Sequence, residues 1–132
     1  MIAYSYKANY LPAVCNVLHQ EGAGAEVFAA FELLLAKKLG VPSSKIIFNG
    51  PGKSDSETEM IIDEDIALVN ADSIEELERI GQIAKAKGKI VDVGIRVKQD
   101  IPDFMLWGKS SVWIYQLDRH LKRIKEHLNW RI

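Results

Sequence analysis

A chain of 132 residues, 48% hydrophobic and 27% charged, has the size and composition of one globular domain. Its net charge of −1, with no basic block, excludes the electrostatic footprint of a nucleic-acid binder. The single cysteine, Cys15, excludes an internal disulfide framework and fits a reducing cytoplasm, and no apolar run nears the roughly 20 residues of a membrane span.

Residues 2–7 read as a strand that ends in Tyr6-Lys7-Ala8-Asn9. A parallel α/β barrel presents its chemistry at the carboxyl ends of its strands, where an amine such as that of Lys7 can condense with a carbonyl to form a Schiff base. A lysine that simply extends its charge into water gives the same four residues, so position alone leaves both readings open. Residues 10–21 read as a helix with Leu11, Val14, Val17 and Leu18 on one face, Cys15 as inert core and His19 near the negative end. A strand at Ala25–Phe28 and a helix near 30–39 follow, the latter stopped by Gly40 and Pro42.

Ile46–Phe48 is the third strand. The Gly50-Pro51-Gly52-Lys53-Ser54 run after it resembles the tail of a nucleotide-binding phosphate loop, but Ile47 stands where that pattern requires glycine. Lys53 therefore reads as a solvated loop residue. Ser54 with Glu57, and Ser73 with Glu76, form two capping boxes, and Ile66–Val69 is the strand between their helices. In the second of these helices Ile74, Leu77, Ile80 and Ile83 face one way, Gly88 ends it, and Glu75, Glu76 and Glu78 read as a solvated face with Glu75 and Arg79 spaced for an ion pair. Ile90–Val97 is the fifth strand. A loop through Pro102 and Gly108 leads to a last helix striped by Leu117, Leu121, Ile124 and Leu128. His120 and His127 lie seven apart on its basic face, wider than the helical spacing of metal ligands, and Trp107, Trp113, Tyr115 and Trp130 read as core.

Near-continuous apolar strands joined by helices indicate an α/β fold with parallel pairing. The polar residues at the strand ends, Lys7, Glu26, Asn49, Asn70 and Arg96, are separated by 19, 23, 21 and 26 residues, about one β-α unit each. In a barrel these five surround one end of a shared axis. The expected architecture is a partial TIM-type (β/α) barrel of about five parallel strands. An open doubly wound sheet is the alternative, and the strand order that would separate the two is not written in the sequence. The open edges of five strands invite pairing with another copy, so a homo-oligomer is expected.

Four segments in register carry a resemblance: Tyr4-Ser5-Tyr6-Lys7-Ala8-Asn9; Gly22-Ala23-Gly24-Ala25-Glu26-Val27 with Phe31-Glu32-Leu33; Ile46-Ile47-Phe48-Asn49-Gly50 with Lys53-Ser54; and Val93-Gly94-Ile95-Arg96-Val97. Together they resemble diaminopimelate decarboxylase-like enzymes, pyridoxal-phosphate-dependent decarboxylases with an alanine-racemase-type barrel, over about residues 2–100. The resemblance implies that Lys7 carries pyridoxal 5'-phosphate covalently. It implies that Glu26, where the family more often has Asp, lies beside the cofactor and the lysine nitrogen. Glu32 and Arg96 match an acid and an arginine that shape the cofactor pocket, with Arg96 near the phenolic oxygen of the ring.

The activity so implied is decarboxylation of a small amino acid, in the cytoplasm. The resemblance also implies that residues 1–132 form one interior section of such a barrel domain. The family's first barrel segment, glycine-rich phosphate cup and C-terminal β-domain have no counterpart in this sequence, and Trp107-Gly108-Lys109 stands where Lys-Phe-Gly is usual. Two other readings stay open: a cofactor carrier or racemase-like protein on the same barrel, and a non-catalytic half-barrel that binds a partner or itself.

Overall fold

The structure, a computed structural model, describes residues 1–96 of the chain. Its elements in order are β1 (Ala3–Ser5), α1 (Pro12–Gln20), β2 (Gly24–Val27), α2 (Ala30–Lys38), a 3-10 turn (Ser43–Lys45), β3 (Ile46–Phe48), α3 (Asp55–Asp63), β4 (Leu68–Ala71), α4 (Ile74–Ala86) and β5 (Val93–Ile95). The expected loop through Pro102, the last helix with His120 and His127, and the late tryptophans lie outside the described residues. Among the described residues no helix is long and apolar enough to cross a membrane.

Local chemistry sets the helix starts. Pro12 opens α1, where its missing N–H costs nothing and its φ is already helical. Ser54 caps α3 in a complete capping box: its hydroxyl accepts from the Glu57 N–H, and the Glu57 carboxylate accepts from the Ser54 N–H. These bonds hold the Glu57 carboxyl below its ordinary range. Ser73 accepts from the Glu76 N–H in the same way at α4, but the Glu76 carboxylate does not return to Ser73. It reaches one residue further back, to the N–H of Asp72.

All five strands are parallel and hydrogen-bonded in the order β1-β2-β3-β4-β5. Each strand lies beside its predecessor without a reversal, which excludes the doubly wound alternative. With the right-handed connections that parallel strands take, this order puts every helix on the same side of the sheet. The result is an arc of a (β/α) barrel.

Side chains alternate across a strand, so one set faces the helices and the other faces the barrel axis. The helix-facing set is apolar and closed to solvent: Ala25, Val27, Ile46, Phe48, Val69 and Ala71 join Cys15, Leu33, Ile61, Leu77 and Ile80 in one core. α1 departs from its expected face. Cys15 turns into the core with Val14 and Leu18 beside it, whereas Leu11 and Val17 are exposed. Leu11 is the extended N-cap residue, outside the helical period, and Val17 lies two positions from Cys15, about 200° round the helix.

The elements also repeat. β1 and β3 are offset by 43 residues, as are α1 and α3, while β2 and β4, and the starts of α2 and α4, are offset by 44. The loops leaving the odd strands are long and carry Lys7 and Lys53. The turns leaving the even strands have one residue, Phe28 or Asp72, between the strand and the helix N-cap.

The β3 end approaches the β2 end closely at Gly50. A Cβ there would lie 1.9 Å from the Phe28 carbonyl oxygen, a backbone atom that cannot step aside. Gly50→Ala is expected to lower stability by about 1–3 kcal/mol or more, the usual range for overpacking, in a denaturant titration of the chain. A neutral result would mean that the two strand ends can move apart freely.

Candidate functional site at the carboxyl ends of the strands

The axis-facing side chains form stepped rows. Ser5 pairs with Glu26, Glu26 with Ile47 and Ile47 with Leu68. Two residues further along come Lys7, Phe28 and Asn49, just past the ends of β1, β2 and β3, and Asn70 within β4. Asn70 pairs with Gly94, and Arg96 follows two residues above Gly94. The five strand-end residues picked out by spacing therefore do share one face and one end. They occupy three successive steps rather than one ring, with Glu26 lowest and Arg96 highest.

Lys7 is held at its height by its neighbour. Tyr6 points the opposite way into the core, where its O–H donates to His19 Nε2 at 2.8 Å. His19 Nδ1 in turn donates to the Ala23 carbonyl at 2.9 Å, which leaves Nε2 as the acceptor. Burial pushes the Tyr6 phenol well above its ordinary pKa, so it stays a donor at any physiological pH. With Tyr6 anchored, Lys7 must face the axis; its side chain is exposed and Nζ lies 4.7 Å from the centroid of the Phe28 ring.

Phe28 is itself fixed from behind. Its N–H donates to Glu32 Oε2 at 2.6 Å, and the Glu32 side chain is buried at the start of α2. Glu76 makes the same bond to the Asp72 N–H at 2.7 Å, one repeat later. Glu32 thus holds the turn whose ring underlies the Lys7 amine, and lies behind the strand ends rather than among the axis-facing groups.

Asn49 Nδ2 donates to Glu26 Oε1 in a close contact, and Asn70 Nδ2 donates to Asn49 Oδ1 at 3.2 Å. Asn49 and Asn70 are 8% and 5% exposed. Asn70 fits because residue 94 is glycine: a Cβ there would lie 2.1 Å from Asn70 Oδ1. That oxygen is buried and has no hydrogen-bond partner among the described residues. Arg96 is more open, with Nη1 3.4 Å from Asp72 Oδ1 and its backbone N–H bonded to Ala71.

Three residues here differ from their sequence reading. Lys53 is 2% exposed, not solvated, and Glu76 is 4% exposed, not part of a solvated face. Lys53 Nζ donates to the Asn70 carbonyl at 2.6 Å and to Glu76 Oε1 at 3.2 Å. Arg79 does not take Glu75; it donates to the Lys53 carbonyl and lies near Asp55 and Glu76. Burial alone would raise the Glu76 carboxyl, but the Asp72 N–H and the Lys53 ammonium outweigh it and hold the group below its ordinary value. The 23 residues between Lys53 and Glu76 match no local period, so no spacing signal could have paired them. The role of Phe28 was equally hidden, because only the register brings its ring under Lys7.

The model of the pyridoxal binding domain of pyridoxal-dependent decarboxylases matches residues 1–106. The chain belongs to this family. It is 38% identical over 101 residues to the diaminopimelate decarboxylase of Aquifex aeolicus, covering 76% of this chain and 24% of that protein. Among solved structures, the diaminopimelate decarboxylase of M. jannaschii superposes with a TM-score of 0.72 at 40% identity, covering 77% of this chain and 24% of the other. The Helicobacter pylori enzyme complexed with L-lysine gives 0.71 at 32%, covering 74% and 25%. The chain thus spans about a quarter of the length of these relatives.

Pyridoxal phosphate is the cofactor of this family, and the chemistry of the axis-facing groups of the arc suits it. An accessible primary amine stands over an aromatic ring, an acid lies one step below on the same face, and a buried carboxamide oxygen on β4 has no hydrogen-bond partner among the described residues.

The buried pair behind the site is testable by stability alone. Glu76→Gln leaves Lys53 buried without its counter-charge and is expected to cost about 3–5 kcal/mol at neutral pH. Because the folded-state value of Glu76 is depressed, its contribution is complete above the ordinary value of 4.5 and is lost as pH falls through the depressed one. The stability gap between wild type and Glu76→Gln should therefore narrow on acidification below 4.5, read by denaturant midpoints across pH. A gap that stays constant would show that the pair is not ionised.

Proposed function

We propose that this site serves pyridoxal-phosphate-dependent decarboxylation of an amino acid, of the diaminopimelate decarboxylase type. The observation that carries the reading is the Lys7 amine at the carboxyl end of β1, on the axis-facing side of the arc and beside the ring of Phe28. The cofactor, when bound, withdraws the electron pair released as the substrate loses carbon dioxide.

The protein's part is positional and electrostatic. Lys7 would hold the cofactor aldehyde through its primary amine, so turnover would depend on that side chain. Glu26, on the step below, is the acid proposed to stabilise the protonated lysine nitrogen or to accept its proton. Arg96 is proposed to donate a charge-assisted hydrogen bond to the phenolic oxygen of the ring. Glu32 keeps the Phe28 turn in place beneath the amine. The substrate is proposed to be a small amino acid, the compartment the cytoplasm, and the active form a homo-oligomer whose further copies cover the ends of the arc.

Reduction with borohydride after mixing with pyridoxal phosphate is expected to label Lys7 alone, and Lys7→Ala to remove both the label and the visible absorbance. Label spread over surface lysines would contradict the reading. Carbon dioxide release from meso-diaminopimelate, compared with lysine, ornithine and arginine, then ranks the substrates, and Lys7→Ala should abolish whatever release is seen.

A further inference from the structure

The two buried carboxamides beside Glu26 have an order that the proposed chemistry does not use. Asn70 donates Nδ2 to Asn49 Oδ1, and this bond leaves Asn49 only Nδ2 to present to Glu26. A carboxylate accepts and cannot donate, so turning the Asn49 amide over would set oxygen against oxygen at one end and N–H against N–H at the other. Asn70 in turn cannot drift, because its carbonyl is bound by Lys53, which is paired with Glu76. Its side chain is seated over Gly94. The row therefore has a direction, with each amide donor aimed along the strand ends toward one carboxylate.

We infer that Asn49, backed by Asn70, is a positioning residue that holds the Glu26 carboxylate in a single place for the Lys7 amine. This rests on the assignment of Lys7 and Glu26 to the cofactor site. Glu26 is one methylene longer than aspartate, and that extra bond gives its carboxylate more positions to occupy. Asn49 removes that freedom by tying Oε1 to β3. Nothing in the inference requires either asparagine to touch the cofactor.

The test is spectroscopic. The 132-residue chain is loaded with pyridoxal phosphate, and the pH midpoint of its visible absorbance is measured for wild type, Glu26→Gln, Asn49→Ala and the double variant. A carboxylate beside the protonated lysine nitrogen raises that midpoint, so Glu26→Gln should lower it by about one pH unit or more. Asn49→Ala should lower it in the same direction by a smaller amount, Asn70→Ala likewise, and the double variant should match Glu26→Gln alone. Asn49→Leu keeps the side-chain volume and carries the same measurement if Asn49→Ala loses its thermal transition. A wild-type midpoint in a folded, loaded Asn49 variant overturns the inference, as does a shift that adds in full to that of Glu26→Gln. A wild-type chain that takes no borohydride label at Lys7 instead overturns the cofactor-site assignment beneath it.

Discussion

Parallel pairing of consecutive strands is the constraint from which the other features follow. When each strand lies beside its predecessor, every connection must cross the same face, and the helices collect there. One face of the sheet is then sealed by a mostly apolar core, and the polar groups Lys7, Glu26, Asn49 and Asn70 are left on the other. Alternation along the strand does the sorting at Tyr6 and Lys7. The first is driven into the core, where His19 takes its hydroxyl, and the second is thereby turned to the axis.

The strand ends need more than pairing to stay in place, because the ladder stops there and polar side chains must replace it. Glu32 and Glu76 serve the same purpose 44 residues apart, each accepting the first N–H beyond an even strand. At the second position the arrangement is extended. Glu76 also holds Lys53, and Lys53 binds the carbonyl of Asn70, so two charges are removed from water to fix one strand end. Such a pair contributes little net stability compared with apolar residues of equal size, yet losing one partner leaves an uncompensated charge. Its value lies in geometry: it sets the height of Asn70, and through it of Asn49 and Glu26.

Much of this was legible from residues alone. The Ser54 capping box formed as written, and Ile46–Phe48 is the strand expected. Strand-end spacing picked Lys7, Glu26, Asn49, Asn70 and Arg96 because a β-α unit has a nearly constant length. Lys53 and Glu76 were misread because both are long, charged and in segments that look solvated; only the β3–α3 loop folding over β4 buries them. Ser73 with Glu76 met the pattern of a capping box, but the carboxylate found a better donor one residue further back. For α1 the period suggested a face including Leu11 and Val17, which are exposed, while Cys15 is buried in the core as it was read.

By itself the sequence determined the alternation of strands and helices, a polar residue near the carboxyl end of each strand and the resemblance to a pyridoxal-phosphate decarboxylase. These are local properties, carried by side-chain periodicity, capping chemistry and motifs a few residues long. Only the tertiary structure decided that the strands lie in sequential order, that Glu26, Lys7 and Arg96 stand on successive steps, and that Lys53 is buried against Glu76. Each of those depends on register and on contacts between residues about 20 or more positions apart, and such contacts exist only once the helices have packed against one side of the sheet.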